Sequence, residues 1–512
     1  MIICGSVTAK AQEATIYYGS NINKQNYTKW STKVNSYLTE TRDHKLMRFQ
    51  ANALSTKKQY LVEYYDSSYH LVRTVNVPYE LSLFGAFYDD GNNYYIFSGQ
   101  NNSNEKNSVE VFRLTKYDYN WRRLGSVGVY GANTSKPFEA GLARIHHSGK
   151  HLAVKTCHTM YVTDEGYHHQ SNMLIRFRTD TMTVESSNYS VSNISKGYVS
   201  HSFNQFVRYD GDSVVGVDHG DAYPRSVVLT KTRAAGSGCD YKEILAISGN
   251  VGNNDTGVSV GGFEISSSSY LVVGNSVKMG SGYSASGVRN IFVASVDRNL
   301  QTTPKLRYVT SYKNGDTSPS TPQFMKIDSG NFLLLWMKGS TLNYVKINAN
   351  GDVCSNVYQV NAELSDCVPI LYNGKIIWYT WKNEIVKFYS INPSTIITKN
   401  VSFSTASIAA AKQVVMKPKA VSVKKVSASK DSFTLQWKKG EKGVTGYQIQ
   451  YSLKSNFTGK KTVTIKSAKT VKKKIGKLKS KKKYYIRIRC FKTVSGKKYY
   501  SVWSAKKSVK VK

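Results

Sequence analysis

Six times between about residue 80 and residue 385 the chain repeats one pattern: a short alternating strand, a turn of Asp, Asn, Ser or Gly, and a strongly apolar strand. The copies are GAFYDDGNNYYIFSG, LARIHHSGKHLAVKT, FVRYDGDSVVGVD, FEISSSSYLVVG, FMKIDSGNFLLLWM and ILYNGKIIWYTW. Turn chemistry of this kind makes each one a β-hairpin. The turn centres, at residues 91, 149, 211, 268, 330 and 374, lie 44 to 62 residues apart, close to the period of a blade in a radial array of sheets. Each copy is followed by a more polar hairpin, from VEVFRLTKYDYNWRRLGSV after the first to IVKFYSINPSTIITKNV after the last, and Gln59 to Val77 has the same outer-hairpin character. Six inner and seven outer hairpins imply an all-β fold, a six- or seven-bladed β-propeller over residues 12–401. Seven blades are favoured, with the first built from the residues before Val77, and closure of the ring leaves little sheet edge open.

Composition agrees. With 37 Tyr, 18 Phe and 7 Trp against 9 Pro in 512 residues, the chain favours strands joined by polar turns. Its formal charge of +38 is unevenly placed: residues 417–512 hold 30 Lys or Arg and two acids, Asp431 and Glu441, leaving a net +10 for everything before them. Residues 402–416, SFSTASIAAAKQVVM with Val401 before them, show neither strand pattern and are expected to connect two domains.

The first residues, MIICGSVTAKAQEA, place Ala9 and Ala11 at the small-residue positions before a cut between Ala11 and Gln12, so residues 1–11 are expected to be the remnant of a signal peptide. A lipid anchor on Cys4 is disfavoured by Ile3, which stands where such a site needs a small residue. No run approaches the ~18 apolar residues of a membrane span, so no transmembrane segment is expected and the processed protein should be secreted. Without Cys4, five cysteines remain, an odd number that cannot all pair within one chain. Cys354 and Cys367 are candidates for a short disulfide loop or, equally, for separate buried thiols.

Residues 417–512 resemble a fibronectin type III domain. The resemblance is carried by Leu435 and Trp437 in FTLQW, Tyr447 and Ile449 in GYQIQY, and Leu478, Tyr484, Ile486 and Ile488 in LKSKKKYYIRIRC. In that family the leucine and tyrosine six residues apart form a corner and the tryptophan fills the core of a β-sandwich. The stretches GYVSHSFNQF and DHGDAYPRS resemble secreted propeller-like proteins of Gram-positive bacteria, a group with no established activity. That resemblance implies export and fold, not chemistry.

Eight of the ten histidines, His146, His147, His151, His158, His168, His169, His201 and His219, fall within 74 residues, a window covering two adjacent blades. Tyr161, Gln170, Asn172, Asn204, Gln205, Asp218, Asp221, Tyr223 and Arg225 accompany them. Imidazole with carboxylate or amide groups suits a borderline divalent metal and also proton transfer. One reading is hydrogen-bonded histidines that fix loops between blades, with His146 and His147 solvated in a turn. The other is a ligand site of His158, His169, Gln170, His201, Gln205, His219, Asp221 and Arg225, with His158, His169, His201 and His219 as the candidate metal ligands. Strand alternation sends His168 and His169 to opposite faces, so at most one joins a shared site. Arg225 has the planar fork to hold a carboxylate or sulfate, as on a sugar acid, while Asp218 and Asp221 equally suit turn amides.

Three functions follow as expectations, the last of them a structural scaffold with no small ligand. The first is a secreted, cell-wall-associated binding protein whose propeller recognises a glycan or a protein, held by its basic last domain at an anionic cell-wall polymer or acidic glycan. Nucleic acid fits the charge but not an exported address. The second is a polysaccharide lyase-like enzyme acting on uronate glycans, with Arg225 neutralising the carboxylate and His158 or Tyr161 removing the adjacent proton.

Overall fold

A computed structural model of the chain describes residues 7–10, 19–22, 34–139, 141, 143–233, 238–382, 385–396, 418–441, 443–494 and 497–512. The chain forms two compact units, Met1–Ala411 and Lys412–Lys512. The boundary falls inside the expected connection 402–416, which lies outside the described residues.

In the first unit, antiparallel sheets follow one another along the chain over residues 36–78, 83–130, 136–188, 202–246, 258–308 and 323–360, each with its strands in chain order. A seventh contains Ile370–Tyr372, Lys375–Lys382 and Ile385–Ile391. Hydrogen bonds join each sheet to the next around a closed ring. Thr39 donates to Asp89 from the first sheet to the second, Tyr88 meets His147 between the second and third, and the Tyr209 amide donates to His146 between the fourth and third. Arg208 pairs with Glu264 across the fourth and fifth, and Lys326 donates to the Ile265 carbonyl from the sixth to the fifth. Gln323 reaches the Ser365 carbonyl, at the entry to the seventh sheet. The Asn35 amide donates to Asp366, and Tyr372 to the His44 carbonyl, closing the seventh sheet onto the first. This is the propeller the hairpin repeat predicts, and it corrects the expectation for two histidines. His146 and His147 are not solvated turn residues: they belong to the strand Arg144–Ser148, where Tyr209 and Tyr88 hold them.

The fourth strand of the seventh sheet is not local. Val7–Lys10 pairs antiparallel with Ile385–Phe388, so residues read from sequence as part of an export leader close the ring. The end of the expected outer hairpin IVKFYSINPSTIITKNV, from residue 397 on, lies outside the described residues.

Alternation along each strand sends one set of side chains into the seam before its sheet and the other into the seam after it. Most seams are filled by large apolar side chains, such as Phe97, Phe112, Leu152 and Phe177 between the second and third sheets and Val217, Leu229, Phe263 and Tyr270 between the fourth and fifth. The second unit is a β-sandwich. A sheet of Val423–Ser429, Ser432–Trp437 and Lys472–Ile475 faces one centred on Gly446–Ser452 and Lys483–Val494. Phe433, Leu435, Trp437, Tyr447, Ile449, Ile486 and Ile488 fill its core. The five cysteines among the described residues are free thiols, Cys354 and Cys367 included.

Candidate functional site

The histidine window does not form one site, and alternation explains why. In the strand His151–Val162, Leu152 and Val154 face the second sheet, and His158 shares their parity. It is fully buried, with Nδ1 2.7 Å from Thr134 Oγ1 and Nε2 3.3 Å from Ser171 Oγ. In Ser213–Asp221, Val215 and Val217 face the fifth sheet, and His219 and Asp221 go with them. His219 is buried against the Phe203 ring at 5.4 Å. Burial pushes both imidazoles down to about 3, with Arg289 and Arg225 adding to the effect at His219. The two rings therefore sit in different seams as neutral groups. His201, half-exposed and with a left-handed φ of 47°, places Nδ1 2.9 Å from the buried Asp221 Oδ1. His169 is half-buried on the third sheet. Among the described residues no three His, Cys, Asp or Glu side chains are grouped as metal ligands, so the four candidate metal histidines are dispersed.

Arg225 is buried and engaged. Its guanidinium donates to the carbonyls of Ser248, Asp221, Asn253 and Asp255 at 2.6 to 3.2 Å. The arginine fixes the 248–255 loop, and the fork envisaged for a sugar carboxylate is occupied by backbone. Tyr161 accepts from Asn102 Nδ2 at 2.9 Å, on a loop of the second sheet, and burial raises its hydroxyl. With His158 enclosed, Arg225 spent on carbonyls and Tyr161 on a different loop, the geometry gives the proton-abstraction scheme no support.

Gln170 and Gln205 do share a place: the seam between the third and fourth sheets. Gln170 Nε2 donates to the Glu139 and Ser202 carbonyls, and Gln205 Nε2 to Ser202 Oγ at 2.9 Å. This seam differs from its neighbours. Among the described residues its buried apolar cluster is Ala153, Val207, Tyr209 and Val214, four side chains where the seams on either side have sixteen and seventeen. The rest is polar. Lys155 Nζ lies 2.7 Å from Asp218 Oδ2, and Asp218 also accepts from Asn172 Nδ2 at 3.0 Å and Ser202 Oγ at 2.8 Å. Gly216 makes room for the lysine, since a Cβ there would fall 2.6 Å from Lys155 Cδ.

Outward from this ion pair the two sheets separate around a cleft of about 1100 Å³. The third sheet contributes Asn172, Arg176 and the edge strand through Glu185, Ser187 and Asn188. Tyr209, Asp212, Thr230 and Thr232 come from the fourth, and the connection between the sheets adds Ser190, Ser192 and Lys196. Sequence reasoning passed over Lys155, Arg176, Lys196 and Arg233. The signal was present as alternation: after Val214, the positions facing this seam read Gly216 and Asp218 in one strand and Ala153, Lys155, Cys157 in its counterpart, small or polar where other seams carry Leu, Val and Phe.

Residues 416–506 match the model of the fibronectin type III domain. No curated protein matches the chain. Among solved structures, one described as a myokine is 18% identical over 19% of this chain and 95% of its own, with a TM-score of 0.15. The Dos1 propeller is 11% identical over 76% of this chain and 92% of its own, at 0.40. A subtype N11 neuraminidase-like protein of A/flat-faced bat/Peru/033/2010 is 10% identical over 77% and 95%, at 0.35. The propeller assignment stands on the ring of sheets and bonds above. By its family match and its sandwich core, the C-terminal unit that follows this β-propeller is a fibronectin type III domain.

Proposed function

We propose that the protein is an exported binding protein whose propeller recognises a glycan or protein and whose fibronectin type III domain holds it at an anionic envelope polymer. A propeller joined to such a domain fits a binding or adhesion-type protein. The observation that carries the tethering part is the placement of charge. Of the net +38, +28 belongs to residues 417–512, and the runs Lys472 to Lys474 and Lys481 to Lys483 are exposed. A surface of that sign attracts polyanions over several ångströms, in a manner that salt screens. No helix among the described residues is long and apolar enough to cross a membrane, so peripheral charge is the proposed means of retention.

The test is retention of the full chain on cell-wall fragments bearing an anionic polymer, measured against NaCl concentration. Replacing all six lysines of the two runs by Gln should release the protein at lower salt and flatten the dependence of log affinity on log salt. Retention and slope unchanged by the six substitutions would remove the tether from the proposal.

A further inference from the structure

We propose that the cleft between the third and fourth sheets binds an uncharged oligosaccharide. This rests on the reading of the propeller as the recognition unit and supplies its site and ligand class.

The seam forgoes what its neighbours use for stability. Apolar burial contributes roughly 25 cal/mol per Å², and a buried ion pair such as Lys155–Asp218 is on average no better than a well-packed apolar substitute. The neighbouring seams, with sixteen and seventeen buried apolar side chains, show what this fold does where packing alone decides. Here it keeps an ion pair, two glutamines and an open space of about 1100 Å³. That is at or above the upper end of small-molecule sites and suits a ligand of several units.

The lining selects the ligand's chemistry. Hydroxyls of Ser187, Ser190 and Ser192 present donors and acceptors, and Thr230, Thr232 and Asn188, which donate to Gly216 O, Cys239 Sγ and Lys196 O, add acceptor oxygens beside them, together the complement of vicinal diols. Ser192 Oγ is enclosed with no hydrogen-bond partner among the described residues. The exposed Val191 supplies apolar surface for a sugar face, with the buried Tyr209 behind it in the lining. Charge is largely matched around the site: Lys155 with Asp218 at 2.7 Å and Arg233 with Asp240 at 2.8 Å, while Arg176 and Lys196 share the lining with Glu185 and Asp212. A cleft without a strong net sign selects a neutral ligand over a polyanion, and its binding should depend little on salt. The basic C-terminal domain has the opposite property.

The experiment is a glycan array followed by calorimetry on the full chain in 0.5 M NaCl, using neutral hexasaccharides of glucose, mannose and N-acetylglucosamine, an acidic uronate hexasaccharide and an extended hexapeptide. At that salt concentration the polyanion tether is screened, so failure of the tether and failure of the cleft are read separately. At least one neutral hexasaccharide should bind, with affinity within threefold between 0.1 and 0.5 M NaCl. Ser187→Trp, which fills the cleft from an exposed strand, should weaken it tenfold or more, and Thr232→Ala and Asp212→Asn severalfold, all with unchanged melting temperature. The proposal is overturned if no neutral hexasaccharide binds, if binding survives Ser187→Trp, or if the uronate or the peptide is the preferred ligand.

Discussion

At the floor of the cleft, Lys155 and Asp218 form a pair in which the side chains are 4% and 0% exposed. Breaking such a pair from one side leaves a buried charge uncompensated and costs about 3 to 5 kcal/mol, whereas replacing both partners with apolar groups is close to neutral. Lys155→Met should therefore lower the unfolding free energy by that amount, and adding Asp218→Leu should recover part of it, the remainder being the acceptor that Asn172 and Ser202 lose. Denaturant titration of the single and double variants measures both, and equal losses in the two would show that the pair is not acting as a unit. His158 and His219, with His146, shape the acid response. Unfolded imidazole titrates near 6.5, whereas burial holds all three at about 3. Between those values the unfolded chain binds more protons, so stability is lost as pH falls, by roughly 1.4 kcal/mol per pH unit for each histidine. Asp366 has the opposite sign: burial raises it to about 6, so from pH 6 to about 4 its protonation favours the folded form and offsets about one histidine. His158→Gln should lose about 2 kcal/mol less than the parent between pH 6.5 and 5. An identical loss in both would mean that His158 is not held neutral. The sequence pointed to two blades, but its markers were the histidines, which alternation deals into separate seams. The cleft's own residues are Ser, Thr, Asn and Lys, whose types carry no signal until the facing strand is known.

Hairpins were legible because their information is local. A turn of Asp, Asn, Ser or Gly between an alternating and an apolar strand specifies a hairpin from about a dozen residues, and all six inner ones are present in the fold. The closing strand could not be found that way. Val7–Lys10 pairs with Ile385–Phe388, and nothing in VTAK resembles its sequence-distant partner. The same four residues stand before the candidate cleavage point after Ala11, so the two readings make opposed demands. Deleting residues 1–11 should leave Ile385–Ile391 as an unpaired edge, with Ile385 already 49% exposed. Open edges of this kind template aggregation. Light scattering during thermal unfolding should show a lower melting temperature and earlier aggregation in the deleted chain. If the deletion is neutral, the strand is dispensable and its loss on export would leave the ring intact. In the sandwich, Tyr484 was legible for a different reason: the corner it makes is short-range, its hydroxyl accepting from the Lys479 amide at 3.0 Å. Tyr484→Phe should cost about 1 kcal/mol, the net worth of one hydrogen bond, in the unfolding of that unit.

Charge separates the two units as clearly as fold does. The propeller and its preceding residues carry +10 over 416 residues, whereas the C-terminal domain carries +28 over 96. Few acids are available to offset it: Asp431 sits in a turn with a φ of 87°, and Glu441 accepts from the Lys419 amide. Some cations are relieved by stacking. Arg487 and Arg489 lie 4.6 and 4.3 Å from the Trp503 ring centre, and Gln448 and Gln450 accept from their guanidinium groups. Lys483 and Lys498 lie over the Tyr485 and Phe491 rings, but no lysine among the described residues of this acid-poor domain is ion-paired with a carboxylate side chain, so self-repulsion opposes its folding. The Debye length contracts from about 20 Å at 20 mM salt to about 6 Å at 300 mM, which spans the separation of lysines across one sheet face. Scanning calorimetry of the full chain should then show the sandwich transition rising by several degrees between those salt concentrations, while the propeller transition moves by less than half as much. A polyanion that engages the domain should produce the same selective rise at low salt, because binding to the folded form adds to its stability. Equal shifts in the two transitions would mean that the concentrated charge is not felt by the fold, and an anionic polymer would then have no electrostatic strain to relieve.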